Sequence, residues 1–179
     1  MSGITSIALM GLFVWSGGSL GTTTWTPQVL LPTTSTESTI YVRLTGYNAV
    51  PEQTDNNPHI TASGVFSNAD IIAARSRDLA DTLPFGTVIA LETAEKSNSC
   101  GFEAVDHLIG YRVIADSMHP RKQNQVDIMF DVADTVQIGV DGKPRKATNP
   151  AVALGVCDVE IRIVGKLELN EMPKTQSEL

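Results

Sequence analysis

The sequence predicts a mainly β fold, with six or seven short strands closed into a small barrel. Three observations carry that expectation. Valine, isoleucine and threonine are plentiful and come in short runs, which favours strands over helices. Glycine, proline and Asp-Gly turns punctuate those runs. Helical periodicity is scarce between about residues 39 and 167.

Taken in order, "TIYVRLTGY" (39–47) sets Ile40, Val42 and Leu44 on one face, the period-two pattern of a half-buried strand. "HITASG" (59–64) ends in a glycine turn, and "IIAAR" (71–75) is a short apolar run. "LPFGTVIAL" (83–91) opens with turn residues and becomes a strand. "GYRVIADS" (110–117) and "QVDIMF" (125–130) are strands that each carry an aspartate, Asp116 and Asp127. Asp-Gly at 141–142 signals a hairpin. "VCDVEIRIVG" (156–165) alternates mostly polar Val156, Asp158, Glu160 and Arg162 with apolar Cys157, Val159, Ile161 and Ile163. Only "DVADTVQIG" (131–139) and "NPAVALG" (149–155) read as helical turns, and 92–110 reads as a long connection.

The flanks divide the 179 residues further. An apolar run from Ile4 to Trp15 is too short to span a bilayer and suits a secretory leader over residues 1–18, although no Lys or Arg precedes Arg43. Residues 19–38 are a Thr/Ser/Gly/Pro-rich linker, 39–167 the folded domain, and 168–179 a polar tail expected to fray. Export, no stable membrane span after processing, and a monomer are the expectations. With a net charge of −7 and no basic block, no nucleic-acid partner is expected. Cys100 and Cys157 read either as one disulfide of an exported chain or as two small buried thiols. His59, His107 and His119 lack metal-site spacing, so no metal and no cofactor are expected.

Four stretches in order carry a resemblance: "LTGYNAVPEQTDNNPHITASG", "IIAARSRDLADTLPFGT", "YRVIADSMHPRKQNQVDIMF" and "ALGVCDVEIRIVG". Together they resemble the 3D (Asp-Asp-Asp) domain family, double-psi β-barrels related to MltA-type lytic transglycosylases and to RlpA and expansin-like domains. The chain departs from that pattern at Gly46, where members carry alanine, at Ser117, and at Arg75, where a third aspartate often falls; Asp55, Asp78 and Asp81 lie nearby.

The resemblance implies that Asp116 and Asp127 look into one groove from adjacent strands. Two close carboxylates cannot both ionise cheaply, so one would stay protonated and serve as a general acid. Asp127 would be the acid/base on a peptidoglycan glycan strand and Asp116 its orienting partner. Thr45, Tyr47, Gln53, Asp55, Thr61 and Ser63 would bind substrate in the groove, and His119 and Arg121 would meet its carboxylate or acetamido groups. Two other readings are a non-catalytic, expansin-like wall-binding module and a structural or assembly protein. Aspartate at a strand end is also an ordinary turn cap.

Overall fold

The computed structural model describes residues 39–54, 57–94, 100–140 and 143–179. The leader and linker segments, Asp55 and the Asp-Gly pair at 141–142 lie outside the described residues.

Six strands close a barrel: β1 (Thr39–Asn48), β2 (Ile72–Arg75), β3 (Thr87–Thr93), β4 (Arg112–Ser117), β5 (Gln125–Phe130) and β8 (Cys157–Lys166). Around the barrel they run β1-β5-β2-β4-β3-β8, with β1/β5 and β2/β4 parallel and the other pairs antiparallel. β6 (Val136–Val140) and β7 (Lys143–Thr148) form a separate hairpin, with Val140 opposite Lys143. The mainly β closed barrel expected from the strand runs is thus what forms.

Alternation decides which side chains fill it. Val42 and Leu44 of β1, Ala73 of β2, Ile89 of β3, Ile114 of β4, Val126, Ile128 and Phe130 of β5, and Cys157, Val159 and Ile161 of β8 make one buried cluster drawn from all six strands. Burying so much apolar surface is the main stabilising contribution. A second cluster (Tyr47, Ile72, Ala74, Ala115, Met118 and Met129) lies on the opposite face of β1, β2, β4 and β5. The site stands on that second face.

Two segments differ from the sequence expectation. The connection at 92–110 contains helix α1 (Phe102–Ile109), whose Val105 and Ile109 are buried. The stretch at 131–139 forms no helix; its end becomes β6, because pairing with β7 satisfies its backbone groups. "NPAVALG" does form a short helix, α2 (Pro150–Leu154), capped by the Asn149 side chain accepting from the Ala151 N–H at 2.9 Å. α2 explains Gly46: a methyl there would come within 2.8 Å of the Ala151 Cα and 2.9 Å of the Phe130 ring.

The polar tail is packed against the domain. Leu169, Met172 and Leu179 pack against the second cluster. The Gln176 amide donates to the carbonyls of Asp70, Leu108 and Ile109, while Asn68 donates to the Lys174 carbonyl. The docking of a few apolar side chains and one amide outweighs the segment's polarity. Cys100, just before α1, and Cys157, at the start of β8, are joined in a disulfide, which settles the two readings left open by their count. No helix among the described residues is long and apolar enough to cross a membrane.

Candidate functional site

A single row of residues crosses four strands. Thr45 of β1 lies opposite Asp127 of β5, Asp127 opposite Ala74 of β2, and Ala74 opposite Asp116 of β4. Cross-strand partners share a face, so both carboxyls rise from one side of the wall over the small Ala74 methyl. They do not come from adjacent strands, as the resemblance implies: β2 stands between β4 and β5. Two strand spacings put their Cα atoms on the order of 10 Å apart.

Asp116 reaches this face because of an irregularity. The β2/β4 ladder pairs Ala73 with Ile114 but Ala74 with Asp116, so Ala115 is an extra residue in β4. Strict alternation would send Asp116 after Ile114 into the barrel interior; the bulge turns it out. Burying a carboxylate among Ile114, Ile128 and Val126 would be strongly unfavourable.

The hydrogen bonding of the two acids is unequal. Asp116 accepts three: from the Tyr47 hydroxyl at 2.8 Å, the Ala62 N–H at 2.9 Å and the Ser117 N–H at 2.8 Å. Acceptance from three donors is the pattern of a carboxylate and fixes its orientation. Asp127 accepts only from the Thr45 hydroxyl, at 2.8 Å on Oδ1, which leaves Oδ2 without a hydrogen-bond partner among the described residues. The Thr45 oxygen in turn accepts from the Gln125 amide at 2.7 Å, and Gln125 is only 3% exposed. The hydroxyl has one proton, and with Gln125 donating to its oxygen that proton goes to Asp127.

Burial pushes the Asp127 carboxyl up to about 6; the Thr45 hydrogen bond and the Lys122 charge oppose the rise, and the field of Asp116 adds to it. The proton is thus retained mainly by desolvation, with the neighbouring acid a minor cause. That revises the expectation that repulsion within the pair would do it. Burial, and then the field and hydrogen bond of Asp116, hold the Tyr47 hydroxyl well above its ordinary range, so it remains a donor.

Both acids line a cleft of about 600 Å³. Tyr47, Gln53, Thr54, Arg77, His119 and Lys122 are among the other residues that line it.

Of the residues singled out from the sequence, Asp116, Asp127, Tyr47, Gln53 and His119 line the cleft. Gln53 is partly engaged, its Oε1 accepting from the Asn48 N–H at 2.8 Å. Thr45 acts through Asp127. Thr61 and Ser63 are not on the cleft wall: their hydroxyls bond each other at 3.1 Å and Thr61 bonds the Val65 carbonyl, shaping the turn that aims the Ala62 N–H at Asp116. Arg121 does not itself line the cleft; its backbone N–H and Nε donate to Nδ1 of His119, which does.

Neither Asp78 nor Asp81 lines the cleft. Arg75 is a buried clamp: its Nε donates to the Leu83 carbonyl at 2.8 Å and its guanidinium lies 4.8 Å from the Phe85 ring centroid, holding the "LPFGT" turn. No group of three or more potential metal ligands occurs among the described residues.

Sequence reasoning missed Gln125 and Arg77, and read Lys122 first as part of a solvated loop. Gln125 precedes Asp127 by two residues in an alternating strand, so it stands on the same face, a signal that was legible. Arg77 carried none, because only the barrel closure brings it to the cleft. No family model matches the chain, and no curated protein is significantly similar to it.

Proposed function

We propose that the cleft cleaves peptidoglycan glycan strands by a lytic-transglycosylase mechanism, with Asp127 as its single acid/base. The carrying observation is the unequal hydrogen bonding of the two acids on one row. Asp127 keeps an oxygen open to the cleft, whereas Asp116 spends its acceptor positions on three protein donors. A two-carboxylate hydrolysis needs a second acid free to attack or to activate water. Asp116 is poorly suited to either role and well suited to orienting Tyr47 and the cleft wall.

In the step proposed, Asp127 Oδ2 gives its proton to the glycosidic oxygen as the C1–O bond breaks. The substrate's own C6 hydroxyl forms the new bond to C1, and its proton passes to the Asp127 carboxylate. The product is a 1,6-anhydro sugar, and the enzyme returns to its starting protonation state. The barrel's two parallel pairings support the double-psi reading on which the resemblance rests, and the disulfide supports export, since such bonds persist in oxidising compartments.

The test is incubation of the full chain with purified sacculi, with anhydromuropeptides followed by mass spectrometry. Wild type is expected to release them and Asp127→Asn to lose at least 100-fold, the usual worth of a general acid. Retention of the chain on sacculi without anhydro products would instead favour the wall-binding module.

A further inference from the structure

The segment between β1 and β2 folds into a small ribbon with an aromatic ring that the acid/base step does not use. Thr61 N–H donates to the Val65 carbonyl at 2.9 Å, and Ser67 N–H to the His59 carbonyl, also at 2.9 Å. These two bonds flank Ile60 and Phe66, an antiparallel pair. In a pair flanked in this way the two side chains share a face, with Cα atoms about 4.5 Å apart. The neighbours decide which face that is. Pro58, Ile60 and Ala62, every second residue, line the cleft, and Ser67 meets it at the open end of the ribbon, its hydroxyl on the Pro58 carbonyl at 2.6 Å. Thr61 is buried, and Val65 packs against the second cluster. Alternation therefore turns Val65 toward the domain and sets Phe66 on the cleft side, beside Ile60. Phe66 stands at the rim, just outside the lining residues, and its 77% exposure is the largest of any bulky apolar side chain among the described residues. A ring left in water adds nothing to the core.

The ribbon is tied to the acid row. Ala62 N–H donates to Asp116 Oδ1 at 2.9 Å, and Ser63 N–H to the Ala115 carbonyl at 3.2 Å. Ile60 stands two residues before Ala62, about 7 Å along the strand. Pro58, Ile60 and Phe66 thus make an apolar lip, whereas Asp116, Asp127, Tyr47 and Gln53 make the cleft beside it polar. A pyranose is divided in the same way, with hydroxyls around its edge and C–H bonds on its face. Those C–H bonds carry slight positive charge, and the face of a phenyl ring is negative. We infer that Phe66 is a stacking platform, which holds the C–H face of one sugar unit at the lip while neighbouring units reach the acids. The inference rests on the reading of the cleft as a glycan site, and adds to it a binding residue that touches none of the reacting atoms.

The experiment titrates the full chain, in the Asp127→Asn background to prevent turnover, with a peptide-free hexasaccharide of alternating N-acetylglucosamine and N-acetylmuramic acid. Phe66 is exposed, so its substitution leaves the fold intact. Phe66→Tyr is expected to bind like the parent, and Phe66→Ala and Phe66→Leu about three- to tenfold more weakly. NMR gives the signature of stacking: protons held over an aromatic face move upfield. Sugar ring protons should show that shift with the parent and with Phe66→Tyr, and lose it with Phe66→Leu. An alanine variant that binds as tightly as the parent overturns the platform. So does a leucine variant of undiminished affinity, which would reduce Phe66 to a general apolar contact, and so does a parent that does not bind the hexasaccharide. Failure of the chain with Asp127 intact to release anhydromuropeptides from sacculi, with binding still dependent on Phe66, would sink the acid/base reading and leave the platform standing.

Discussion

Asp127 is held in a protonatable state at the expense of stability, and that opposition can be measured. Its folded pKa of about 6 lies above an unfolded value near 3.8. Between those values the folded chain binds more protons than the unfolded one, so stability falls as pH rises through the window. The shift corresponds to roughly 3 kcal/mol above pH 6. Asp127→Asn keeps an acceptor for the Thr45 hydroxyl and has no charge to bury. Urea denaturation is therefore expected to find the variant more stable than wild type at pH 8, by up to roughly 3 kcal/mol, and nearly equal at pH 4. A variant no more stable at pH 8 would contradict a buried acid with a raised pKa.

The relay behind that acid gives a second residue-scale test. Gln125 and Thr45 direct a hydrogen bond onto Asp127 Oδ1 and so favour its ionised form. Thr45→Val removes the bond, and carboxyl carbon NMR titration should place the Asp127 pKa above its wild-type value. An unchanged titration would mean that the hydroxyl proton points elsewhere. The two acids were legible from their spacing and from the strand runs around them. Their division of labour was not, because it depends on a bulge at Ala115, set by the pairing of β4 with β2, and on donors from β1 and from the turn at Ala62 that are distant in sequence.

At the scale of elements, the strands were readable wherever one face was buried. Cys157, Val159 and Ile161 are in the core while Asp158 is exposed, as the alternation required; Ile163, the last residue in register before the irregularity opposite Val88 and Ile89, is 37% exposed. Helix α1 carried a signal too, with Phe102, Val105 and Ile109 at helical spacing, but the polar stretch before it read as loop. Contacts between elements were beyond reach. Gly46 reads as a mild change from alanine in one strand, yet it is where α2 packs on β1. Gly46→Ala would drive a methyl into the Ala151 backbone and the Phe130 ring, and overpacking of that kind costs about 1–3 kcal/mol. Thermal denaturation should show the loss, and a variant as stable as wild type would mean that α2 sits farther from the barrel than described.

For the folded domain as a whole, the disulfide adds a covalent tie between the entrance to α1 and the barrel. Cys100 lies at the entrance to α1, and Cys157 opens the last barrel strand, 57 residues later. Closing a loop of that length restricts the unfolded chain by about 4 kcal/mol in the chain-entropy account. That is a large share of the roughly 5–15 kcal/mol typical of a single domain. Cys157 is only 1% exposed and the partly buried Cys100 packs against the same cluster, so the packing lost on reduction would be small. Reduction should therefore lower the denaturation midpoint without unfolding the barrel at room temperature. The Cys100→Ser/Cys157→Ser variant should match the reduced wild type to within the penalty of one buried and one partly buried hydroxyl, and be insensitive to reductant. Because neither cysteine lines the cleft, the proposed glycan binding is expected to be unchanged in the reduced protein at 25 °C. Loss of binding on reduction alone would mean that α1 and β8 govern the shape of the cleft, and that the site is less independent of the far side of the barrel than its hydrogen bonds imply.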